Sequence, residues 1–243
     1  IFYILILNII NYKLNLMIKK KVHAIILARG GSKGIKNKNL FLINKKPLIF
    51  WSIKRCLESK NISETWVSSD NKQILKIAKK IGARIILRPK KLASDTASSD
   101  AAWEHAIKHI EKKFSIDIII GVQPTSPIRS KADFDKALKK FYLKKLDSMF
   151  SASNFETYFS WIIKKNKVLP NYNVYKRPRR QDLKKSILEN GSFYIFKQKL
   201  FLKYKNRLFG KIGFYLMEKY RGFQIDTLED AKFLSAIFKN YFK

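Results

Sequence analysis

From residue 17 onward, strand-length apolar runs alternate with segments of helical spacing, and this alternation restricts the fold more than any single motif. Residues 22–28, VHAIILA, form a continuous run apolar but for His23. PLIFWSIKRCLESK (47–60) has helical spacing and opens on Pro47, where a missing N–H is tolerated. ETWVSSD ends at Asp70, which is expected to cap the helix NKQILKIAKKIG, and Gly82 is placed to end it. ARIILRP is the next strand, SSDAAWEHAIKHIEKKF an amphipathic helix, and IDIIIGVQP another buried strand. Ser130, with Asp133 three residues on, opens SKADFDKALKKFYLKK. Fully apolar strands alternating with helices predict an α/β fold: a mononucleotide-binding (Rossmann-like), mostly parallel sheet with helices on both faces.

After residue 147 the rhythm changes. SMFSASNF is compatible with a strand, and GSFYIFKQKLF and KIGFYLM are expected to be two more. Thr227 with Asp230 is expected to cap a last helix. The segment at about 151–190 does not fit the series and is predicted to be an insertion, a lid or a dimerisation arm. Residues 1–16, IFYILILNIINYKLNL, precede Met17 and the run IKKKVHAII. Their apolar stretch is too short to span a bilayer and lacks the flanks of a secretory signal. They are expected to be a non-native or disordered extension, a membrane-surface anchor being the alternative. Residues 17–243 are expected to form a single domain.

Charge narrows the function less than its size suggests. The chain carries a net +33, but only ten of its 51 basic residues are Arg. Abundant Lys, Ile and Asn are what codon bias in an AT-rich genome produces. The lysines are spread along the chain, and no nucleic-acid-binding signature accompanies them. No nucleic-acid partner is therefore expected, although such a surface draws in small anions. The single cysteine, Cys56, excludes an intramolecular disulfide, fits a reducing cytoplasm and falls on an apolar helix face. His105 and His109 lie four apart on a predicted helix, without further ligands at zinc spacing.

The chemistry is concentrated after the first strand, in ILARGGSKGIKNKNL (26–40). Glycines there let backbone N–H groups approach phosphate oxygens, and the cations balance their charge. The loop matches neither G-x-x-x-x-G-K-[ST] nor G-x-G-x-x-G, so it is a weak signal alone. However, Arg29, Asp70, Arg88 and QPTSP (123–127) all fall at carboxyl ends of predicted strands, where a doubly wound sheet binds ligands.

Taken with VSSD (67–70), RPKKLASDTASS (88–99), QPTSPIR (123–129), RRQDL (179–183), ENGSFYIF (189–196) and QIDTLED (224–230), that loop resembles the acylneuraminate (nonulosonic acid) cytidylyltransferases, the CMP-sialic acid synthetases. The likeness covers nearly all of 22–238. It implies a cytoplasmic, dimeric enzyme of surface glycan biosynthesis. The implied reaction converts CTP and a nine-carbon sugar acid to a CMP-sugar and pyrophosphate. It also implies CTP contacts from Ala28, Arg29, Gly30, Gly31, Ser32, Lys33, Lys38, Asn39, Arg88 and Ser99. Arg29 and Lys38 fall to the phosphates, Arg88 and Ser99 to the cytosine and ribose end. Helix capping is the structural alternative for Ser98 and Ser99.

On the sugar-acid side the resemblance implies Gln123, Arg180, Asn190 and Tyr194. A solvated basic turn is the alternative for Arg180. Family members hold Mg²⁺ with an Asp-x-Asp before the last helix. Here Asp226 matches the second Asp, but Gln224 replaces the first, which puts metal affinity in question and leaves Mn²⁺ open. Asp230 is expected to be a cap. The resemblance assigns no general base. Related substrates (Kdo, legionaminic or pseudaminic acid) are alternatives, as is an inactive paralogue acting as a basic anion-binding protein.

Overall fold

The computed structural model describes residues 20–32, 34–155, 159–182 and 186–241. Strand β1 (Val22–Leu27) leads through the opening loop and a short hairpin, β2 (Leu42–Ile43) and β3 (Lys46–Pro47), into helix α1 (Leu48–Leu57). The series continues with β4 (Glu64–Ser69), α2 (Lys72–Ile81), β5 (Arg84–Leu87), α3 (Ser99–Ile110), β6 (Ile118–Val122) and α4 (Lys131–Leu143). It closes with β7 (Ser148–Phe155), β8 (Trp161–Lys164), β9 (Lys167–Pro170), β10 (Ser186–Lys197), α5 (Gln198–Tyr204), β11 (Ile212–Met217) and α6 (Leu228–Tyr241).

Seven strands form one sheet in the order β11-β7-β10-β6-β1-β4-β5. Every neighbouring pair is parallel except those of β10, which runs antiparallel to β6 and β7. The expected mostly parallel sheet is therefore present, and helices cover both faces. Alternate residues of β1 explain why: Ile26 packs with Ile53, Leu75 and Phe134 of α1, α2 and α4. Ile25 packs with Trp103, Ile107 and Phe201 of α3 and α5. A strand covered on both sides has no polar face, which is what the unbroken apolar run encodes. Gly121 in β6 makes room for α3, because a Cβ there would lie 2.5 Å from the Trp103 ring.

Local signals mostly act where expected. Ser130 and Asp133 form a reciprocal capping box, and Gly82 ends α2 at φ 110°. One expectation is corrected. The cap of α2 is Asn71, whose side chain accepts from Gln73 N and Ile74 N. Asp70, one residue earlier, instead accepts from Gly30 N at 2.9 Å. The helix begins at Lys72, so only Asn71 has the reach. A second correction concerns GSFYIFKQKLF: the strand ends at Lys197 and the remainder begins α5. SWIIKKNKVLP folds as the isolated hairpin β8–β9.

A third cluster at the end of the sheet joins α6 to α1, with Phe238 4.6 Å from the Trp51 ring. This contact brings the QID segment over the carboxyl ends of β1 and β6. Cys56 is fully buried, and burial pushes its thiol up to about 12. No helix among the described residues is long and apolar enough to cross a membrane.

Candidate functional site

The opening loop is pinned from both sides. Ala28 N still donates to Ser68 O at 3.0 Å, continuing the β1–β4 ladder, and Asp70 then takes the Gly30 amide. From the other side Asn39 Nδ2 donates to the Arg29 carbonyl at 2.8 Å. Gly34 lies directly against the QID segment: a Cβ there would come within 2.0 Å of the Asp226 carbonyl. Glycine is needed at this contact for close approach of two backbones.

The loop, the 88–99 segment and the turn after β6 enclose a cleft of about 550 Å³. Arg29, Ser32, Lys38 and Asn39 line it from the loop, Arg88 and Ser99 from beyond β5, Gln123 from the turn after β6 and Asp226 from the QID segment before α6. Two of its cations rest on carboxylates. Arg29 Nη1 donates to Asp95 Oδ1 at 2.7 Å and to the Ser94 carbonyl at 3.2 Å. Lys38 Nζ donates to Asp226 Oδ1 at 2.7 Å. The third is different. Arg88 is only 5% exposed, and its Nε and Nη2 are buried without an acceptor among the described residues. Burial lowers its pKa, opposed by Asp70 and assisted by Arg29. A buried guanidinium with unmet donors calls for an acceptor from outside the chain.

Ser98 Oγ accepts from Ala101 N and caps α3, which leaves Ser99, the first helical residue, on the cleft wall. Gln123 N donates to the Ser192 carbonyl at 3.1 Å. Behind Gln123 lies a residue to which the sequence assigned no role. Arg129 is fully buried, and its guanidinium donates to the carbonyls of Gln123 and Ser126 and, at 3.1 Å, to Ser192 Oγ. Burial pulls its pKa down to about 10, so it stays charged at neutral pH. The turn it holds is tied onward to the QID segment, since Ile225 N donates to the Thr125 carbonyl at 2.9 Å. A signal was available in QPTSPIR, where an arginine ends an otherwise apolar and turn-forming stretch.

The remaining expected residues lie elsewhere. Asn190 turns its amide inward: Ser151 Oγ donates to its Oδ1 at 2.6 Å, and its Nδ2 donates to Ser153 Oγ at 3.0 Å. Its carbonyl accepts from Gln224 Nε2 at 2.6 Å. Tyr194 is buried on the α3 side of β10, its hydroxyl donating to Glu189 Oε1 at 2.5 Å. Arg180 is exposed in a short 3₁₀ turn. None of these three side chains is on the wall of the cleft. Lys33 lies outside the described residues. Gly30 and Gly31 contribute backbone to the loop.

Asp230 acts as a cap: its Oδ2 accepts from Asp226 N and Thr227 N at 3.0 and 2.7 Å. Those bonds hold its pKa below the usual carboxylate range. His109 is exposed and His105 half-buried on α3. Among the described residues no group of three or more His, Cys, Asp or Glu is placed to hold a metal.

A mostly parallel sheet with a cation-lined cleft at the carboxyl ends of β1 and β6 is the arrangement of an α/β mononucleotide-binding protein. The family is narrower. The profile of the family described as Cytidylyltransferase matches residues 23–242, and the chain belongs to that family. An N-acylneuraminate cytidylyltransferase of Oncorhynchus mykiss is 36% identical over 184 residues, 73% of this chain and 41% of that protein. A pseudaminic acid cytidylyltransferase of Campylobacter jejuni is 31% identical over 220 residues, 88% of this chain and 95% of that one. The chain thus spans about two fifths of its fish relatives and nearly all of the bacterial one. Among solved structures, a CMP:2-keto-3-deoxy-manno-octonic acid synthetase complexed with CTP shares the fold at a TM-score of 0.69. It is 17% identical and covers 90% of this chain and 99% of its own.

Proposed function

We propose that the chain is a cytoplasmic nucleotidyltransferase that activates a nonulosonic acid with CTP, giving a CMP-linked sugar acid and pyrophosphate. The observation that carries this reading is the cleft that gathers Arg29, Lys38, Arg88 and Asp226 from three separate stretches of a cytidylyltransferase-family chain. Arg88, with its unmet buried donors, suits the carbonyl and ring nitrogen of the cytosine. Arg29 and Lys38 suit the triphosphate, to which each would transfer the charge it now shares with Asp95 and Asp226. The anomeric hydroxyl of the sugar acid attacks the α-phosphorus and pyrophosphate leaves. The cleft contributes mainly position and charge to such a step. The hydroxyl proton would pass to a phosphate oxygen or to water.

The donor set fits a divalent cation. Asp226 is a largely exposed carboxylate on the rim, and the Gln224 amide, its nitrogen fixed on Asn190, carries a second oxygen. An all-oxygen pair suits Mg²⁺ or Mn²⁺, which keep waters and take substrate phosphates rather than a protein cage. When bound, the metal would neutralise charge developing on the phosphates. Asp226 would hold it, and Lys38 would then be released to the nucleotide. Arg180 and the 151–190 segment are assigned to the sugar acid's carboxylate and to a homodimer contact. The exposed apolar residues of the β8–β9 hairpin support the second assignment.

The test is pyrophosphate release from CTP with N-acetylneuraminic, legionaminic, pseudaminic and Kdo acids, each with Mg²⁺ or Mn²⁺. Release that needs one nine-carbon acid and falls at least a hundredfold in Asp226→Ala is expected. Turnover of Kdo alone would move the substrate to an eight-carbon acid. No release with any acid or metal would leave the chain as a nucleotide-fold anion binder.

A further inference from the structure

The segment that carries Asp226 is fastened at two adjacent residues. Ile225 N donates to the Thr125 carbonyl at 2.9 Å, in the turn after β6. Gln224 Nε2 donates to the Asn190 carbonyl at 2.6 Å, where the pairing of β10 with β7 shifts register between Glu189 and Tyr194. The two anchors are joined behind the segment. Ser192 N donates to Asn190 Oδ1 at 3.1 Å, and Gln123 N donates to the Ser192 carbonyl at 3.1 Å. The bonds thus close a ring through the QID segment, β10 and the turn after β6, and Asp226 is the next residue after the fastened pair.

The anchor at 224 is rigid and shaped for an amide. Asn190 is 4% exposed, and its side chain is held by Ser151, Ser153 and Ser192. Gly191 stands at φ 65°, and a Cβ there would lie 2.6 Å from Gln224 Nε2, so the turn closes on the amide only as glycine. Only a donor can bond the Asn190 carbonyl, and a carboxylate at 224 would face it with a second acceptor. The amide therefore gives the segment a bond and adds no charge to it. The carboxylate that the segment presents on the cleft wall is Asp226, and Lys38 already neutralises it at 2.7 Å.

We propose that Gln224 is a positioning residue, a tether rather than an anionic ligand: its amide holds Asp226 at the cleft rim, and the uncharged site it leaves takes a divalent cation only together with the nucleotide. The inference rests on the cytidylyltransferase reading given above and deepens it. One carboxylate already paired to a lysine, beside a neutral amide oxygen, offers a divalent cation little charge. The phosphates of a nucleotide supply the missing charge and give Lys38 another anion to hold. Among the described residues no group of three or more His, Cys, Asp or Glu offers the cation another place. Affinity for cation and nucleotide is then reciprocal, each raising the other by the same factor.

The experiment compares wild type, Gln224→Met and Gln224→Glu. Gln224 is exposed, so neither variant is expected to unfold the chain. Mn²⁺ held by the nucleotide-free protein is read from the electron paramagnetic resonance of the free ion. CTP binding is read by equilibrium dialysis with and without Mn²⁺, and kcat with the acid that wild type turns over best. Gln224→Glu, with a second carboxylate, is expected to hold Mn²⁺ about tenfold more tightly than wild type before nucleotide is added. In wild type, Mn²⁺ is expected to tighten CTP binding about tenfold. At saturating metal, kcat is nonetheless expected to fall about tenfold in both variants, since neither keeps the donor. A bond that only stabilised the fold would not separate Mn²⁺ affinity from kcat in this way. If Gln224→Glu gains kcat along with Mn²⁺ affinity, or Gln224→Met keeps the wild-type kcat, the tether is wrong. If wild type holds Mn²⁺ without nucleotide as tightly as Gln224→Glu does, the dependence on nucleotide is wrong. Wild type that neither binds CTP nor releases pyrophosphate would instead overturn the reading beneath it.

Discussion

At the scale of single residues, the least expected feature is a cation with its back to the cleft. Among the described residues Arg129 bonds no carboxylate; its partners are two carbonyls and the hydroxyls of Ser192 and Ser52. Replacing it with Met removes a costly buried charge but leaves those acceptors dry. Each unmet buried group costs about 1–3 kcal/mol. The gain from discarding the charge offsets part of this. Arg129→Met is therefore expected to lower unfolding free energy by about 2–4 kcal/mol in denaturant titrations. Arg129→Lys is expected to recover little, since an ammonium cannot span the same fork. A variant as stable as wild type would mean that water satisfies the turn. What the sequence disclosed here follows a physical line. Arg29, Arg88 and Gln123 were legible as neighbours because strand ends in such a sheet converge on one place, whereas Lys38 came from the family resemblance. Arg129 was not legible, because burying it depends on Ser192 and Ser52, 63 and 77 residues away in sequence. Asp70 was misread by one position, as two adjacent Asx residues compete for one cap and the helix start decides between them.

Elements were legible where burial is two-sided. β1 and β6 announce themselves because their nearly continuous apolar runs suit a helix layer on each face. The β10–α5 boundary was missed because KQKLF carries apolar residues that suit either period. The β8–β9 hairpin could only be marked as irregular, since several of its apolar residues stay exposed among the described residues. Ile163 is 80% exposed, Ile162 62% and Val168 60%. A two-stranded ribbon of four residues a side is marginal alone, and an apolar patch on it points to a partner surface. If that partner is a second copy, Ile163→Asp with Val168→Asp should convert a dimer to a monomer in sedimentation velocity. CTP binding by the cleft, which contains no hairpin residue among its described lining, should persist. A wild-type monomer at micromolar concentration would rule out this use of the arm.

Across the whole molecule the same excess of lysine acts in two opposite directions. A net charge of +33 repels itself in the folded state, and it also draws an anionic nucleotide toward a cleft already lined with cations. Two carboxylates hold cleft cations in position: Asp95 on Arg29 and Asp226 on Lys38. Salt separates the long-range charge from these short contacts. Going from about 20 to 300 mM sodium chloride shortens the screening length from about 20 Å to about 6 Å. Repulsion across the fold then weakens, so the thermal midpoint should rise. Attraction of CTP from solution weakens too, so KM for CTP should rise by roughly threefold or more while kcat changes little. The 2.7 Å pairs at the cleft lie well inside either screening length and weaken less than the long-range charge does. A midpoint that falls with salt would mean that exposed ion pairs, not the net charge, govern stability. A KM for CTP unmoved by salt would confine recognition to the residues in contact with the nucleotide, and the lysines elsewhere would then be solvated surface.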